Sequence, residues 1–208
     1  MRPNRPRTLA AAGALALAAL TLGGCMNTPG TGDSDAERTS TARGALIEEL
    51  MPGLVRAAGW DTLSNLRERS CTDSPDPERA AASTRWFASS GRGDVRRAEA
   101  ESVTEAVREH AESTGWTPHE STGGPRLLYA ASRDDLTLVV RYATTADEGP
   151  LSVEISTPCL DMPSGHTMTR SELDPRYGSS DPMYPNDDRS EFTNEQVKQL
   201  PEPEPLPE

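Results

Sequence analysis

Apolar residues recur at helical spacing through Leu46, Ile47, Leu50, Met51, Leu54 and Val55, which predicts an amphipathic helix. Ser40 or Thr41 is placed to cap its start, and Glu48 and Glu49 suit its early turns. Pro52 lacks an N–H and crowds the carbonyl of Glu48, so the helix is expected to end near Pro52 rather than to continue through a kink there. A second helix is predicted over about 95–114, with Val95, Ala98, Ser102, Val103, Ala106, Val107, His110 and Ala111 as its small-residue face. Asp94 is its expected N-cap and Gly115 its C′ residue. Elsewhere the period shifts towards two. Residues 60–71 read as extended, 72–77 as a loop, and 84–89 as a short strand with Trp86 inward, closed by a turn at Gly91-Arg92-Gly93. Residues 116–121 are a further candidate strand. Residues 126–132 and 136–143 flank a short turn at Arg133-Asp134-Asp135. Leu151, Val153 and Ile155 then alternate with Ser152, Glu154 and Ser156 up to Cys159. Two helices and a meander of strands predict an α+β fold, an antiparallel β-sheet with two helices packed on one face.

The two ends of the chain follow other patterns. Arg2, Arg5 and Arg7 precede an apolar run over 9–22, shorter than the roughly 20 residues a membrane span needs. The run closes on Leu22-Gly23-Gly24-Cys25, the pattern of a bacterial lipoprotein signal. The expectation is a signal peptide over 1–24, a cut before Cys25, and lipid on the Cys25 thiol and new N-terminus. Residues 25–43 then read as a flexible tether and 44–160 as the domain. Beyond Leu160 the apolar pattern stops. Residues 161–208 hold eight prolines and eleven acids against four basic residues, a composition that predicts a disordered acidic Pro-rich tail.

Charge and cysteines narrow the function. The formal net charge is −12, and loss of the signal arginines makes it more negative still. Such a surface excludes nucleic acid as a partner and disfavours polybasic docking on anionic lipid. Cys25 is assigned to lipid. Cys71 and Cys159 remain, and in an oxidising exterior they are expected to form one structural disulfide.

The lipobox, the strand ending in Cys71, Trp86-Phe87-Ala88-Ser89, Gly115-Trp116 and Ser156-Thr157-Pro158-Cys159 together resemble the LppA-like lipoproteins of actinobacteria over about residues 44–160. The resemblance implies a small α+β domain outside the cytoplasmic membrane. It implies no activity and supplies no catalytic residues.

The search for chemistry is negative. No Gly-x-Ser-x-Gly elbow occurs. His110, His119 and His166 lie in three different segments, without metal-ligand spacing. Trp60, Trp86 and Trp116 are expected in the core. The adjacent acids Asp134-Asp135 and Asp187-Asp188 do not by adjacency make a catalytic pair. The reading is therefore a non-catalytic, monomeric, lipid-anchored cell-envelope protein without a cofactor. It is held at the membrane through Cys25 and presents an interaction or ligand-binding domain to an envelope partner, with the long helix and the open face of the sheet as candidate surfaces. The alternatives are a small carrier of an apolar ligand, with its cavity beside Ala98, Ser102, Ala106 and Ala111, and, further off, a cell-envelope hydrolase.

Overall fold

The computed structural model describes residues 34–119, 127–143, 147–187 and 189. Among them the order is α1 (Asp35–Ala57), β1 (Asn65–Ser70), α2 (Pro77–Ala81), β2 (Ser83–Arg96), α3 (Arg97–Ser113), β3 (Thr117–Pro118), β4 (Leu127–Arg133), β5 (Leu136–Tyr142), β6 (Glu148–Ser156) and β7 (Leu160–Asp161). A 3-10 turn at Pro185–Asp187 follows. The seven strands form one antiparallel sheet in the order β1-β2-β6-β5-β4-β3, and β7 pairs with β2 beyond the end of β6. The α+β class, the antiparallel sheet and the single disulfide are as expected from the sequence.

Helix α1 is longer than its apolar pattern at both ends. It starts at a capping box: the Ser34 hydroxyl accepts from the Glu37 backbone N–H, and the Glu37 carboxylate accepts from the Ser34 N–H. Residues 34–43, expected in the tether, are therefore helical or capping; residues 25–33 lie outside the described residues. At the other end the helix continues through Pro52 to Ala57. Proline inside a helix costs about 3 kcal/mol. Burial of Met51, Leu54 and Val55, each at most 1% exposed, contributes about 1.5–3 kcal/mol apiece, which outweighs it.

Strand β2 replaces both a predicted turn and a predicted helix cap. It runs unbroken through Gly91-Arg92-Gly93, antiparallel to β6, with a bulge between Arg92 and Val95. Gly91 is required by close approach, since a Cβ there would lie 2.6 Å from the Leu151 carbonyl oxygen. Asp94 is still in the strand, so α3 begins at Arg97 with Arg96 at the cap position and no side-chain cap. Of the predicted face, Val107 and Ala111 are buried and Val103 partly so; Ala100 joins them, while Ala98 and Ser102 are exposed. At its other end Gly115 sits at φ +90°, the left-handed position expected of it.

The core lies between α1 and α3 and one face of the sheet. Ile47, Met51, Leu54, Leu66, Ala88, Val107, Ala131, Leu138, Val140, Leu151, Val153 and Ile155 are fully or almost fully buried there. Trp86 and Trp116 join them, and Trp60 packs partly buried at the margin. Cys71 and Cys159 are bonded, with Cα atoms 6.2 Å apart. They join the end of β1 to the segment just after β6, across the intervening β2.

The expectation of a disordered tail from residue 161 is corrected for the described part of it. Residues 161–187 and Arg189 are folded onto the domain; the rest of that tail lies outside the described residues. The Glu68 N–H donates to the Thr169 carbonyl at 2.8 Å, and the Ser171 N–H donates to the Leu66 carbonyl at 3.0 Å. Arg170 forms a bridge with Arg67, so the segment lies along the outer edge of β1. Met168 and Tyr184 pack on Ala80 and Ala81 of α2 as a second, small apolar cluster. Most of the remaining attachment is ionic, which hydropathy does not register.

Candidate functional site

Two arrangements of polar side chains stand out, one inside the domain and one on its surface. The inner one is centred on Glu68. Strand alternation turns Leu66 and Glu68 of β1 towards α1, and their partners across the ladder are Ala88 and Trp86. Glu68 is 1% exposed, yet its carboxylate is well satisfied. It accepts from Ser40 of α1, from Thr84 at 3.3 Å, from the Thr169 N–H at 3.0 Å and the Thr169 hydroxyl at 3.3 Å. His166 Nε2 is 3.0 Å away, and His166 Nδ1 is 4.0 Å from Glu37. The Trp86 indole N–H donates to Ser40 Oγ at 3.0 Å. Burial pushes the Glu68 carboxyl up, but the hydrogen bonds from His166, Ser40 and Thr169 outweigh it and hold the group below the ordinary carboxylate value. Glu37 is also lowered, through its backbone and side-chain hydrogen bonds with Ser34.

This cluster holds a serine, a histidine and two acids, but not in a catalytic relation. A serine nucleophile needs its hydroxyl against the histidine base. Here Ser40 donates to Glu68, and both ring nitrogens of His166 face carboxylates. What the arrangement does is tie three distant parts together: α1 through Ser40 and Glu37, the sheet through Glu68 and Thr84, and the C-terminal segment through His166 and Thr169. It is a clamp on residues 166–169.

A second ionic set continues the clamp. Arg67 Nε is 3.1 Å from Asp174, whose side chain is fully buried and also accepts from the Leu66 N–H at 2.8 Å. Arg170, likewise fully buried, donates to Asp187 at 2.5 and 2.7 Å and to Ser179. Burial lowers the Arg170 pKa, but the Asp187 contact outweighs this and raises it. The Tyr184 ring lies beneath both guanidinium groups, 5.8 Å from Arg67 and 4.7 Å from Arg170. Its hydroxyl, pushed up mainly by burial, donates to the Glu68 carbonyl at 2.6 Å.

The surface arrangement lies on the other face of the sheet, away from α1 and α3. Alternation places Arg67 and Arg69 of β1, Arg85 and Phe87 of β2, and Glu154 and Ser156 of β6 there. Arg69 and Arg85 stand directly opposite one another across the β1–β2 ladder. Like charges in that relation are destabilising. The Arg69 guanidinium lies 4.8 Å from the Phe87 ring centroid. Among the described residues neither arginine has an ion pair, and Arg85 Nε is buried without a hydrogen-bond partner. The nearby acid Glu154 is engaged by Arg141 at 3.3 Å and by Ser152 at 2.8 Å. A half-buried aromatic beside two unpaired guanidinium groups is suited to an anionic, planar group such as a carboxylate.

The residues singled out from sequence fall as follows. Cys71 and Cys159 pair as expected. Leu22, Gly23, Gly24 and Cys25 lie outside the described residues. His110 rests against α1, where a Cβ on Gly53 would meet its Nε2 at 2.7 Å; His119 is exposed beyond β3. Only His166 joins a cluster. Among the described residues no group of three or more His, Cys, Asp or Glu is placed to hold a metal ion, and no helix is long and apolar enough to cross a membrane. Two open grooves, of about 550 and 660 Å3, lie between α1 and the β4–β5 turn at Arg43 and Asp135, and around Arg96, Arg97, Asp147 and Glu148. Ala100 and Ala111 are fully buried, so small residues bring α3 and the sheet into close contact. Sequence reasoning missed Glu68 and its partners. One signal was available: a charged residue two positions from Leu66, on the inward side of a strand.

The site and fold together define a disulfide-bonded α+β domain with one helix-covered sheet face and one open, arginine-bearing face. No family model, curated protein or solved structure matches the chain.

Proposed function

We propose that this is a lipid-anchored cell-envelope protein that presents a non-catalytic interaction domain outside the cytoplasmic membrane, with the open sheet face as its contact surface. The observation that carries the reading is the Arg69–Arg85–Phe87 surface. It combines unpaired charge with an aromatic ring in a chain that is otherwise strongly acidic. The anchoring part rests on Leu22-Gly23-Gly24-Cys25 and on the resemblance to LppA-like lipoproteins. The Cys71–Cys159 disulfide is in keeping with an oxidising exterior. The N-cap of α1 at Ser34 leaves residues 26–33 between Cys25 and the fold, at most about 30 Å of chain. The domain would therefore work close to the bilayer surface rather than at a distance from it.

Mass spectrometry of the N-terminal peptide from native membranes tests the anchor. The expected species begins at Cys25 with diacylglyceryl on sulfur, and Cys25→Ala leaves the protein unlipidated; an unmodified N-terminal Cys25 would overturn it. Affinity purification with the wild type and with Arg69→Glu/Arg85→Glu tests the surface. A stoichiometric companion lost in the double variant is expected, and one retained at full stoichiometry would remove the open face from the proposal.

A further inference from the structure

We propose that the open sheet face binds a saccharide that carries a carboxylate, with the carboxylate between Arg69 and Arg85 and the sugar hydroxyls along Ser156, Thr137 and Ser132. The proposal rests on the open face being the contact surface of the proposed function, and it names the class of ligand that this surface takes.

The charged end comes first. Arg69 and Arg85 stand opposite one another on β1 and β2, where like charges repel. Arg85 is half-buried, and its Nε is enclosed without an acceptor, so the protein itself leaves this guanidinium unsatisfied. The Arg69 guanidinium lies 4.8 Å from the Phe87 ring centroid, and stacking on an aromatic face pre-organises its planar fork. A carboxylate placed between the two groups accepts from both and removes their repulsion.

A neutral polar row continues from that end. The ladders set Phe87, Ser156, Thr137 and Ser132 opposite one another in turn across β2, β6, β5 and β4. Neighbouring strands are about 4.8 Å apart, so the row runs about 14 Å from Phe87. Thr137 is exposed, and Ser156 and Ser132 are half-buried. Among the described residues none of the three hydroxyls makes a side-chain hydrogen bond to the protein. Each offers a donor and acceptor sites, which is what sugar hydroxyls require. Acids border the row on both sides. Asp161 stands opposite Ser83, two residues from Arg85. Glu154, two residues from Ser156 on the same face, is held by Arg141. The chain as a whole is at −12. A ligand charged along its whole length, such as an acidic peptide, is repelled by these acids. A ligand with one carboxylate on a neutral hydroxylated body is not, and that is the charge pattern of the face.

The test is an NMR titration of the full mature chain with Cys25→Ser, 15N-labelled. The probe is xylotriose bearing a single glucuronate; plain xylotriose and tetraglutamate are the comparisons. The glucuronate probe is expected to shift the amides of Arg69, Arg85, Phe87, Thr137 and Ser156, with both comparison compounds about tenfold weaker. Arg69→Gln/Arg85→Gln should weaken the probe about tenfold, since it removes the charge-assisted hydrogen bonds. Its melting midpoint should stay at or above that of the wild type, because it also removes the opposed charges. Thr137→Val, on an exposed strand position, should weaken binding about threefold. Amide shifts that are absent or confined to other surfaces would overturn the proposal, as would an affinity unchanged in either variant. Tetraglutamate binding as tightly as the probe would assign the face to an acidic peptide instead, and equal binding of plain xylotriose would leave the arginines without a part. An arginine-dependent companion in the co-purification, with no response to the glucuronate probe, would overturn the saccharide and leave the proposed contact surface standing.

Discussion

The domain is held together in two different ways. The body, α1 and α3 on the sheet, is sealed by fully buried aliphatic side chains such as Ile47, Leu138, Val153 and Ile155. The C-terminal segment over 162–189 contributes a small apolar set around Met168 and Tyr184 and is otherwise fastened by buried carboxylates on arginines, hydroxyls and a histidine. Apolar burial is non-directional and insensitive to pH. Buried ion pairs contribute little net stability when intact but cost several kcal/mol when one partner is removed. The body therefore carries the global stability, while the segment is a conditional attachment that is either complete or lost.

Breaking the body should have the largest effect. Replacing Cys71 and Cys159 together by serine releases a link between residues 88 apart, worth about 4–5 kcal/mol in the chain-entropy model; thermal unfolding should show a midpoint lowered by about 10–20 °C. Ile155→Ala should cost about 2–5 kcal/mol, read as a shift of the denaturant midpoint with an unchanged slope. Asp187→Ala sharpens the comparison. It leaves the buried Arg170 unpaired, a penalty of about 3–5 kcal/mol if the segment stayed in place. Release of the segment caps that cost, so the expected result is rapid amide exchange and proteolysis within 170–187 with a nearly unchanged melting midpoint. A midpoint lowered as far as in Ile155→Ala would erase the distinction between the two regions.

Acid should separate the regions in the same order. Glu68 is held below its ordinary value of 4.5 in the fold, so its contribution is fully present above that pH and fades as pH falls through the lower folded value. Exchange of the Glu68 and Thr169 amides should accelerate below about pH 4.5 before the amides of β5 and β6 do, and Glu68→Gln should flatten that part of the pH profile. The smallest effect is at the start of α1, where Ser34→Ala removes half of the capping box and should cost about 1 kcal/mol.

The body was legible in the sequence because its chemistry is periodic. Ile47, Met51, Leu54 and Val55 mark a helix, and Leu151, Val153 and Ile155 mark a strand whose partners are equally regular. The turn at Asp134-Asp135, with Asp134 at φ 54°, and the pairing of Cys71 with Cys159 were legible too. Misreadings arose where a local rule met a tertiary force. Pro52 is a helix breaker that the buried residues around it override. Gly91 and Gly93 look like a turn, yet Gly91 lies where β2 and β6 pass too closely for a side chain. The C-terminal segment was invisible for a different reason. Asp174 finds Arg67 across 107 positions and His166 finds Glu68 across 98, and no window of local sequence contains either pair. Composition described those residues as solvated acid; the fold uses them as fasteners.

The strip of chain over β1 also decides how copies of this molecule treat one another. An uncovered outer strand is a template for polymerisation, because its unpaired backbone groups accept a strand from any neighbour. Here the Glu68 N–H and the Leu66 carbonyl are already taken by Thr169 and Ser171. At the far side of the sheet the described β3 is two residues long and ends in Pro118, which has no N–H to give a further strand. A chain cut before Thr169 would expose the first of these margins. Proteolytic trimming would then leave the backbone groups of β1 open to a strand from another copy.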